Sequence, residues 1–391
     1  MTDPRRGDDR SQPALLGPVT FPITSGAHAV EISAGTICAV HAVDGIPEWL
    51  LLPAFVNLHA HAERSFAPAA PPQSFADAVR RAAEIRKASA EPDFQRRAET
   101  LFTRALAHGT GKLRTHTDVD DLVEDRALRG VLSARAAFAG RLTIEIAAFA
   151  NSRVDPTSRE GRQRIVGALF QGADLIGASP NAAPDPQKAM RAVLDLARSE
   201  GVAVDFHLDE HGDAASSLLP LVAGAIAERG LEGRVTISHA CALAALPPNK
   251  ALEIAHRLAA VDATVVALPA TNLYLQDRSQ ATPRRRGITL VRELLAAGVR
   301  VRLGSDNVRD SFYPYGDADP LEDAFLLALA AHLDDPAHLV SALCDGRGDP
   351  AVGDPADLVL IRADSLTDAL ARRPRERIIL RGGRVVEERL R

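Results

Sequence analysis

The chain has 391 residues, more than one hydrophobic core usually holds, so a large domain with a smaller one is expected. Hydrophobic residues make up 46% and charged residues 25%, as in ordinary globular proteins, and the net charge of −5 argues against nucleic acid or an anionic membrane as a partner. The three cysteines are far apart without a CxxC pair, and no apolar run is long enough for a bilayer, so we expect a cytoplasmic protein.

Both ends of the chain predict β-structure. Residues 1–13 are polar, lack the apolar region of a signal peptide and are predicted to be disordered. Residues 14–52 alternate in short apolar pieces separated by Gly, Ser and Pro. Within residues 350–391, the runs 356–361 and 377–386 read the same way, with Gly382-Gly383 as a turn. Neither end could bury a core alone, so we predict that they form one small β-sandwich domain together.

Residues 53–349 alternate between β-like runs and amphipathic segments rich in Ala, Leu and Arg. This alternation predicts a parallel sheet, and eight strands favour a closed (β/α)8 TIM barrel. An open doubly wound sheet is the alternative, but no Gly-x-Gly-x-x-Gly follows a strand. The predicted strands are 54–59, 112–117, 142–149, 173–178, 202–207, 233–239, 263–269 and 299–305. The predicted helices include 93–107, 119–137, 187–200, 213–228, 249–260 and 288–297.

Potential metal ligands stand at the ends of these predicted strands. His59 and His61 end the first strand two residues apart, so their side chains point to the same side. His207 ends the fifth strand, His239 the sixth, and Asp306 follows the eighth. The active-site groups of a barrel come from the C-terminal ends of its strands. The joint pattern therefore predicts a metal centre.

We expect the ligands to be His59, His61, His207 and Asp306, with one coordination position left for a water molecule. Imidazole and carboxylate suit zinc or ferrous iron, and such a metal lowers the pKa of its water towards about 7. Glu210, three residues after His207, is the expected proton shuttle, and His239 and Asp306 are expected to hold or deprotonate the water. A two-metal site usually needs a carboxylated Lys at a mid-barrel strand end; none of the four lysines is placed there, so one metal is favoured.

Several motifs resemble the amidohydrolase superfamily, and within it the cytosine deaminase-like branch of metal-dependent hydrolases. The motifs are His59-Ala60-His61, Arg114-Thr115-His116, His207-Leu208-Asp209-Glu210, Ser238-His239 and the run from Gly304 to Gly316. The resemblance implies a hydrolase of C–N bonds other than peptide bonds, with one zinc or iron ion. It also implies attack of a metal-activated water on an amidine-like ring carbon, release of ammonia, a small heterocyclic substrate and often a homo-oligomer.

The sequence departs from this branch around the substrate. Glu63-Arg64 replaces the usual Asp and Lys, which keeps the charges but changes their reach. Asn151 stands where cytosine deaminases carry a Gln that reads the pyrimidine edge, and a lost buried hydrogen bond of about 1–3 kcal/mol is enough to change the substrate. Asn307 replaces a second acid, and Phe312 replaces a Trp that covers the ring.

Three further residues are candidates for the substrate shell. Phe149 could stack on a flat ring, as Phe312 could, or pack in the core. Asp310 could accept a substrate N–H or fix its own loop. His116 ends the second strand beside the predicted centre.

The predicted activity is deamination of an aminopyrimidine, a pterin or a triazine-type ring. The alternatives are cleavage of a C–N bond to an alkylamine or of an amide, and a non-catalytic barrel that serves as an interaction scaffold. Arg284-Arg285-Arg286 is expected to be a solvated basic run, or a lid formed by residues 281–287.

Overall fold

The computed structural model describes residues 14–67, 70–278 and 286–389. Residues 1–13, which were predicted to be disordered, lie outside the described residues. The same holds for most of the possible lid, including Arg284 and Arg285. The strands are β1 Ala14–Val19, β2 His28–Ser33, β3 Thr36–Ala42, β4 Leu50–Pro53, β5 Phe55–Ala60, β6 Thr110–Asp118, β7 Thr143–Ala150, β8 Leu175–Ala178, β9 Val204–Leu208, β10 Val235–His239, β11 Thr264–Ala267, β12 Arg300–Leu303, β13 Leu358–Ile361, β14 Arg377–Arg381 and β15 Arg384–Arg389. The helices are α1 Phe75–Ala88, α2 Glu91–Ala107, α3 Arg126–Ala137, α4 Arg159–Gln171, α5 Pro186–Glu200, α6 Leu219–Ala227, α7 Pro248–Ala260, α8 Pro269–Leu275, α9 Val291–Ala296, α10 Pro320–Ala331, α11 Pro336–Leu343 and α12 Leu366–Arg372.

Strands β5 to β12 pair side by side in chain order, and every pairing between them is parallel. The sheet closes where β12 returns to β5: the Asp306 N–H donates to the His59 carbonyl at 2.8 Å. Gly304 makes this approach possible, because a Cβ at that position would lie 2.7 Å from the His59 Cβ. The predicted barrel is therefore confirmed over the open sheet.

The main hydrophobic core lies between the barrel and its outer helices. Leu101 and Phe102 of α2, Val193 of α5 and Leu258 of α7 are fully buried against the strands. Apolar residues three or four apart on each helix form the buried stripe that holds it to the sheet. The core therefore fixes the barrel from outside and leaves the C-terminal strand ends open to carry polar groups.

The chain ends supply two antiparallel sheets. Strands β1, β2 and β3 form one, and β4, β13, β14 and β15 form the other. Apolar side chains from both sheets pack into one separate core: Val19, Phe21, Val30, Ile32, Ile37, Trp49, Leu51, Ala356, Leu358, Leu360, Ile378 and Leu380. This arrangement confirms the predicted small β-sandwich built from both termini, while the domain boundaries at residues 52/53 and 349/350 stay a prediction.

The structure differs from the predicted helices at some of their ends. The segment 213–228 becomes helical only from Leu219, because the Asp209 carboxylate accepts the N–H groups of Leu218 and Leu219 and so fixes the helix start. The segment 119–137 becomes helical only at Arg126, after a turn in which Asp120 accepts the N–H of Leu122. In both cases a carboxylate binds backbone N–H groups of the loop before the helix. Hydrophobic periodicity does not reveal such a contact.

The predicted helices given above are examples and not a complete set. The structure adds helices α1, α4, α8, α10, α11 and α12 to them. Helix α12 lies between the two predicted C-terminal β-runs, and it starts at a Ser365 cap whose hydroxyl accepts the Asp368 N–H. Among the described helices, none is both long and apolar enough to cross a membrane.

Candidate metal centre and active site

The predicted ligands come together at the C-terminal end of the barrel. His59 lies in β5, His61 follows it directly, His207 is the fourth residue of β9, and Asp306 follows β12 by three residues. All four are buried, with exposures of 0%, 0%, 6% and 1% respectively. Three sequence-distant strand ends therefore deliver four ligand-type side chains to one buried point.

The ligand atoms are as close together as atoms that share an ion. His207 Nε2 lies 3.0 Å from His59 Nε2 and 3.1 Å from His61 Nε2. Asp306 Oδ1 lies 3.3 Å from His61 Nε2 and 3.6 Å from His59 Nε2. Ligands of a tetrahedral zinc ion lie about 3.3–3.6 Å from one another, given metal–ligand bonds of about 2.0–2.2 Å. The residues present thus fit one divalent cation.

The opposite nitrogen of two rings is engaged away from this point. His59 Nδ1 lies 2.8 Å from Ser238 Oγ, and His61 Nδ1 lies 3.2 Å from the His116 carbonyl oxygen. An Nδ1–H that donates outward leaves the Nε2 lone pair free to bind a metal. Burial, reinforced by the neighbouring histidines or Arg64, lowers the pKa of His59, His61 and His207 well below its usual value, so all three rings are neutral and can offer a lone pair to a metal.

Glu210 and His239 lie beside the ligand cluster. One ligand atom from each of Glu210, His239 and Asp306 lies within 4.8 Å of the other two. Burial, followed by repulsion from Asp306, raises the pKa of Glu210 to about 8. Burial also raises the pKa of Asp306 and lowers that of His239. The site therefore has a carboxyl group that can carry a proton near neutral pH next to a neutral imidazole.

His239 is held in an unusual backbone conformation. Its φ of 72° and the φ of 50° at Ala240 both lie in the left-handed region, which residues with side chains adopt rarely. Asn272 fixes the ring from α8, with its Nδ2 3.0 Å from His239 Nδ1. His239 Nε2 is buried and has no hydrogen-bond partner within the described ranges, so it is free for a substrate or water.

A cavity of about 410 Å³ opens beside the cluster and reaches His207 and Glu210. Its volume falls in the range of small-molecule sites. The lining comes from α1, the end of β9, the end of α8 and the segments that follow β8, β9 and α8: Phe75, Ser179, Asn181, Ala182, His207, Glu210, His211, Gly212, Leu275, Gln276, Asp277 and Arg278. Sequence reasoning missed Asn181, whose side chain bonds to Asp209 and to His211, because a lone Asn after Pro180 forms no recognisable pattern.

The sequence-predicted residues Phe149 and His116 lie against the ligand histidines. The Phe149 ring centroid is 4.3 Å from that of His207, and the His116 centroid is 4.2 Å from that of His59. Gly177 leaves room for the His116 ring, since a Cβ there would lie 2.7 Å from Nδ1. Neither residue lines the cavity described above, so both support the ligand rings from the barrel interior.

Asn151 is engaged elsewhere. Its Nδ2 donates to Asp118 at 2.6 Å and to Asp120 at 2.8 Å, and its Oδ1 accepts the Arg153 N–H at 2.9 Å. Arg86 contacts the same two carboxylates from α1. These contacts use every polar atom of the Asn151 side chain, and the cavity lining does not include it.

The loop after β12 brings Asp310 and Phe312 next to Arg64. Asp310 Oδ1 accepts the N–H groups of Phe312 and Tyr313, whereas Oδ2 lies 3.8 Å from Arg64 Nε without a hydrogen bond. Burial raises the pKa of Asp310 to about 6, and Arg64 opposes this rise. The Arg64 guanidinium lies 4.9 Å from the centre of the Phe312 ring. Asn307 is buried close to Asp306, with its Oδ1 unpaired among the described residues.

A family model and several known proteins match the chain over most of its length. The model of the amidohydrolase family matches residues 131–386. A pterin deaminase from Rhizobium rhizogenes is 32% identical over 378 residues, which cover 92% of this chain and 85% of the relative.

The structure of N-isopropylammelide isopropylaminohydrolase from Burkholderia multivorans is 28% identical, with a TM-score of 0.82 and coverage of 96% of this chain and 98% of that one. The structure of 5-methylcytosine deaminase from Klebsiella pneumoniae, liganded with 5-fluorocytosine, is 24% identical with a TM-score of 0.88 over 96% and 98% of the two chains, which shows the common fold.

These matches agree with the geometry of the site. The family model spans His207, His239 and Asp306, and the pterin deaminase aligns with nearly the whole chain. The resemblance drawn from the motifs is confirmed: the chain belongs to the amidohydrolase family.

Proposed function

We propose that this chain is a metal-dependent hydrolase that deaminates a nitrogen heterocycle. Water replaces the amino group on an amidine-like ring carbon, and the amino group leaves as ammonia. One observation carries the proposal: beside a cavity, the Nε2 atoms of His59 and His61 each lie 3.0–3.6 Å from His207 Nε2 and from an Asp306 carboxylate oxygen. The relatives named pterin deaminase and 5-methylcytosine deaminase support the substrate class.

His59, His61, His207 and Asp306 would hold a single divalent cation. Their nitrogen and oxygen donors suit Zn²⁺ or Fe²⁺ equally well. When bound, the cation would lower the pKa of a water molecule and make the nucleophile available near neutral pH. No carboxylated lysine is needed for this donor set.

Glu210 would act as the proton shuttle. With a pKa raised to about 8 it holds a proton near neutrality, which it can give to a ring nitrogen as water attacks the neighbouring carbon. His239, neutral and with a free Nε2, would orient the water and pass its proton on. The proton balance closes because water gives up both of its protons. One goes to the leaving amino group, and the other replaces the proton that Glu210 gave to the ring nitrogen.

Arg64, Asn307, Asp310 and Phe312 would recognise the ring. The cavity lining does not include them either, but the three polar side chains, unlike Asn151, each keep an atom that is unpaired among the described residues. Arg64 donates hydrogen bonds only, whereas the free oxygens of Asp310 and Asn307 accept them. A ring edge with both N–H groups and a carbonyl oxygen satisfies such a set, and Phe312 would cover the ring. Phe149, His116 and Asn151 would act on the substrate only through the groups that they support.

The second candidate is hydrolysis of a C–N bond that releases an alkylamine. The matching structure of N-isopropylammelide isopropylaminohydrolase favours it, since that protein is named for such a reaction. A coupled assay separates the two candidates: ammonia-releasing turnover of pterins, aminopyrimidines or aminotriazines supports deamination, whereas activity confined to N-alkylated rings favours the second candidate. Metal analysis of the same preparation would support a scaffold instead if the purified protein binds neither Zn²⁺ nor Fe²⁺.

Three broader expectations belong to the same proposal. A homo-oligomer is implied by the resemblance, and sedimentation analysis tests it. A cytoplasmic location rests on the three cysteines, none of them paired in a disulfide. Residues 53–349 are proposed as the catalytic domain and the two ends as an accessory domain.

A further inference from the structure

A line of buried polar groups runs from the metal cluster into the interior of the barrel. Ser238 and Asp205 lie on the neighbouring strands β10 and β9, and both are fully buried, with 0% exposure. Ser238 Oγ lies 2.8 Å from His59 Nδ1 on one side and 2.8 Å from Asp205 Oδ1 on the other. The metal ligand, the hydroxyl and the carboxylate therefore form a continuous chain.

Arg114 fixes the far end of this chain. Its Nη1 donates to Asp205 Oδ2 at 2.8 Å and to Thr236 Oγ1 at 3.0 Å, and its other guanidinium nitrogens donate to Glu145 at 2.9 and 3.0 Å. A guanidinium is always charged in proteins and only donates. Asp205 next to it is thus an ionised carboxylate that only accepts.

The direction of every hydrogen bond in the chain follows from these donor and acceptor limits. Ser238 has one hydroxyl proton, which it must give to Asp205 because the carboxylate has none. Towards His59 the hydroxyl can then only accept, so the proton of the His59 ring is on Nδ1. The lone pair of His59 is on Nε2, which faces His207 and Asp306.

We propose that Ser238 and Asp205 are positioning residues that hold His59 in its Nδ1–H tautomer and thereby set the affinity of the metal centre. The inference rests on the metal site of the proposed function. Outer hydrogen bonds of this kind orient a ligand and raise its basicity, and their loss weakens metal binding about 10–100-fold. Arg114 keeps Asp205 ionised and so acts one step further from the metal.

The first test measures metal affinity by chelator competition with Zn²⁺. Ser238→Ala should weaken binding about 10–100-fold, and Ser238→Thr, which keeps the hydroxyl, should restore most of it. The control is Ser89→Ala: the Ser89 hydroxyl is also buried and makes two hydrogen bonds, donating to Ile85 O and accepting from Arg97, neither of which is a histidine. Equal affinity of the wild type, Ser238→Ala and Ser89→Ala would overturn the inference.

The second test reads the tautomer directly and needs neither metal nor activity. Long-range ¹⁵N–¹H spectra of histidine-labelled, metal-free wild type should show His59 protonated at Nδ1, assigned with a His59→Gln variant. A signal for protonation at Nε2 would overturn the inference even if Ser238→Ala does not fold. A wild type that binds no metal but shows the Nδ1–H tautomer would contradict the proposed function and leave the hydrogen-bond chain intact.

Discussion

At the scale of single residues, Glu210 stands apart from the surface carboxylates. Among the described residues it is one of two carboxylates that line the cavity, and burial together with nearby Asp306 raises its pKa to about 8. A carboxyl that is neutral near pH 7 can donate a proton, which an ordinary glutamate cannot do. The environment, and not the residue type, gives Glu210 its proposed role.

Glu210→Gln should keep the metal and lose most of the turnover. The amide has nearly the same shape but cannot transfer a proton, so kcat should fall about 10²–10⁴-fold. Metal content and kcat are measured on the same sample, with Glu84→Gln as control because Glu84 lies on the exposed face of α1. Turnover of Glu210→Gln within threefold of wild type would refute the shuttle role.

Asn151→Ala tests the role of ring reader that the sequence predicted for this side chain. Because the Asn151 amide bonds to Asp118 and Asp120, its removal should destabilise the fold by about 1–3 kcal/mol and leave KM nearly unchanged. Urea unfolding gives the first quantity and steady-state kinetics the second. A large rise in KM without loss of stability would restore Asn151 as a reader of the ring.

At the scale of elements, the junction between β12 and β5 decides whether the ligands meet. Asp306 reaches the histidines because its N–H bonds to the His59 carbonyl, and it adopts a φ of 55°. The preceding Gly304 lies against the backbone of His59. Closing the barrel and assembling the metal site are therefore the same structural event.

Gly304→Ala should break this junction. The new Cβ would lie 2.7 Å from the His59 Cβ and 2.8 Å from the His59 nitrogen, neither of which can move freely. We expect a loss of about 1–3 kcal/mol in stability, together with weaker metal binding. Thermal unfolding and metal content measure the two effects.

Gly167→Ala is the matched control for Gly304→Ala. Gly167 lies inside α4 and a Cβ there would meet nothing within 4 Å, so alanine should stabilise the helix by about 0.5–1 kcal/mol. A Gly304→Ala protein as stable and metal-rich as the Gly167→Ala protein would contradict the proposed role of the junction.

At the scale of the whole molecule, Arg377 joins the terminal sheet to the barrel. It lies in β14, is 1% exposed, and donates to both oxygens of Asp319 at 2.8 and 2.6 Å. It also donates to the His108 carbonyl at the end of α2. Asp319 caps α10, the helix that follows the loop bearing Asp306, so the terminal sheet buttresses the site indirectly.

Arg377→Met should destabilise the protein by about 3–5 kcal/mol at pH 7, because it leaves the buried Asp319 charge unpaired. Arg164→Met, which removes an exposed pair with Glu160, should change stability by less than about 1 kcal/mol. Urea unfolding of both variants measures the difference. Similar losses of stability in the two variants would show that the buried Arg377–Asp319 pair contributes no more than an exposed pair.

The contribution of the Arg377 pair should depend on pH. Although burial opposes ionisation, Arg377 holds the pKa of Asp319 below its usual value. The pKa of Asp319 is therefore lower in the folded protein than in the unfolded protein, where it is about 3.9. The stabilisation by the Arg377–Asp319 pair is fully present above the unfolded value and disappears as the pH falls through the folded pKa. The difference in free energy of unfolding between wild type and Arg377→Met should therefore become smaller below about pH 4. A difference that grows on acidification would contradict this assignment.

The sequence by itself determined the barrel, the terminal sheets and the identity of the metal-cluster residues. Strand runs ending in His or Asp are local signals, and the barrel rule converts them into a common site. Tertiary structure alone decided which side chains face the cavity: Asn181 lines it, whereas the Asn151 amide bonds to Asp118 and Asp120. Only the folded chain shows the path from His59 through Ser238 to Asp205, because each partner comes from a different strand, up to 179 residues away. A hydrogen bond depends on distances of a few tenths of an ångström between distant segments, and no local pattern in the chain encodes them.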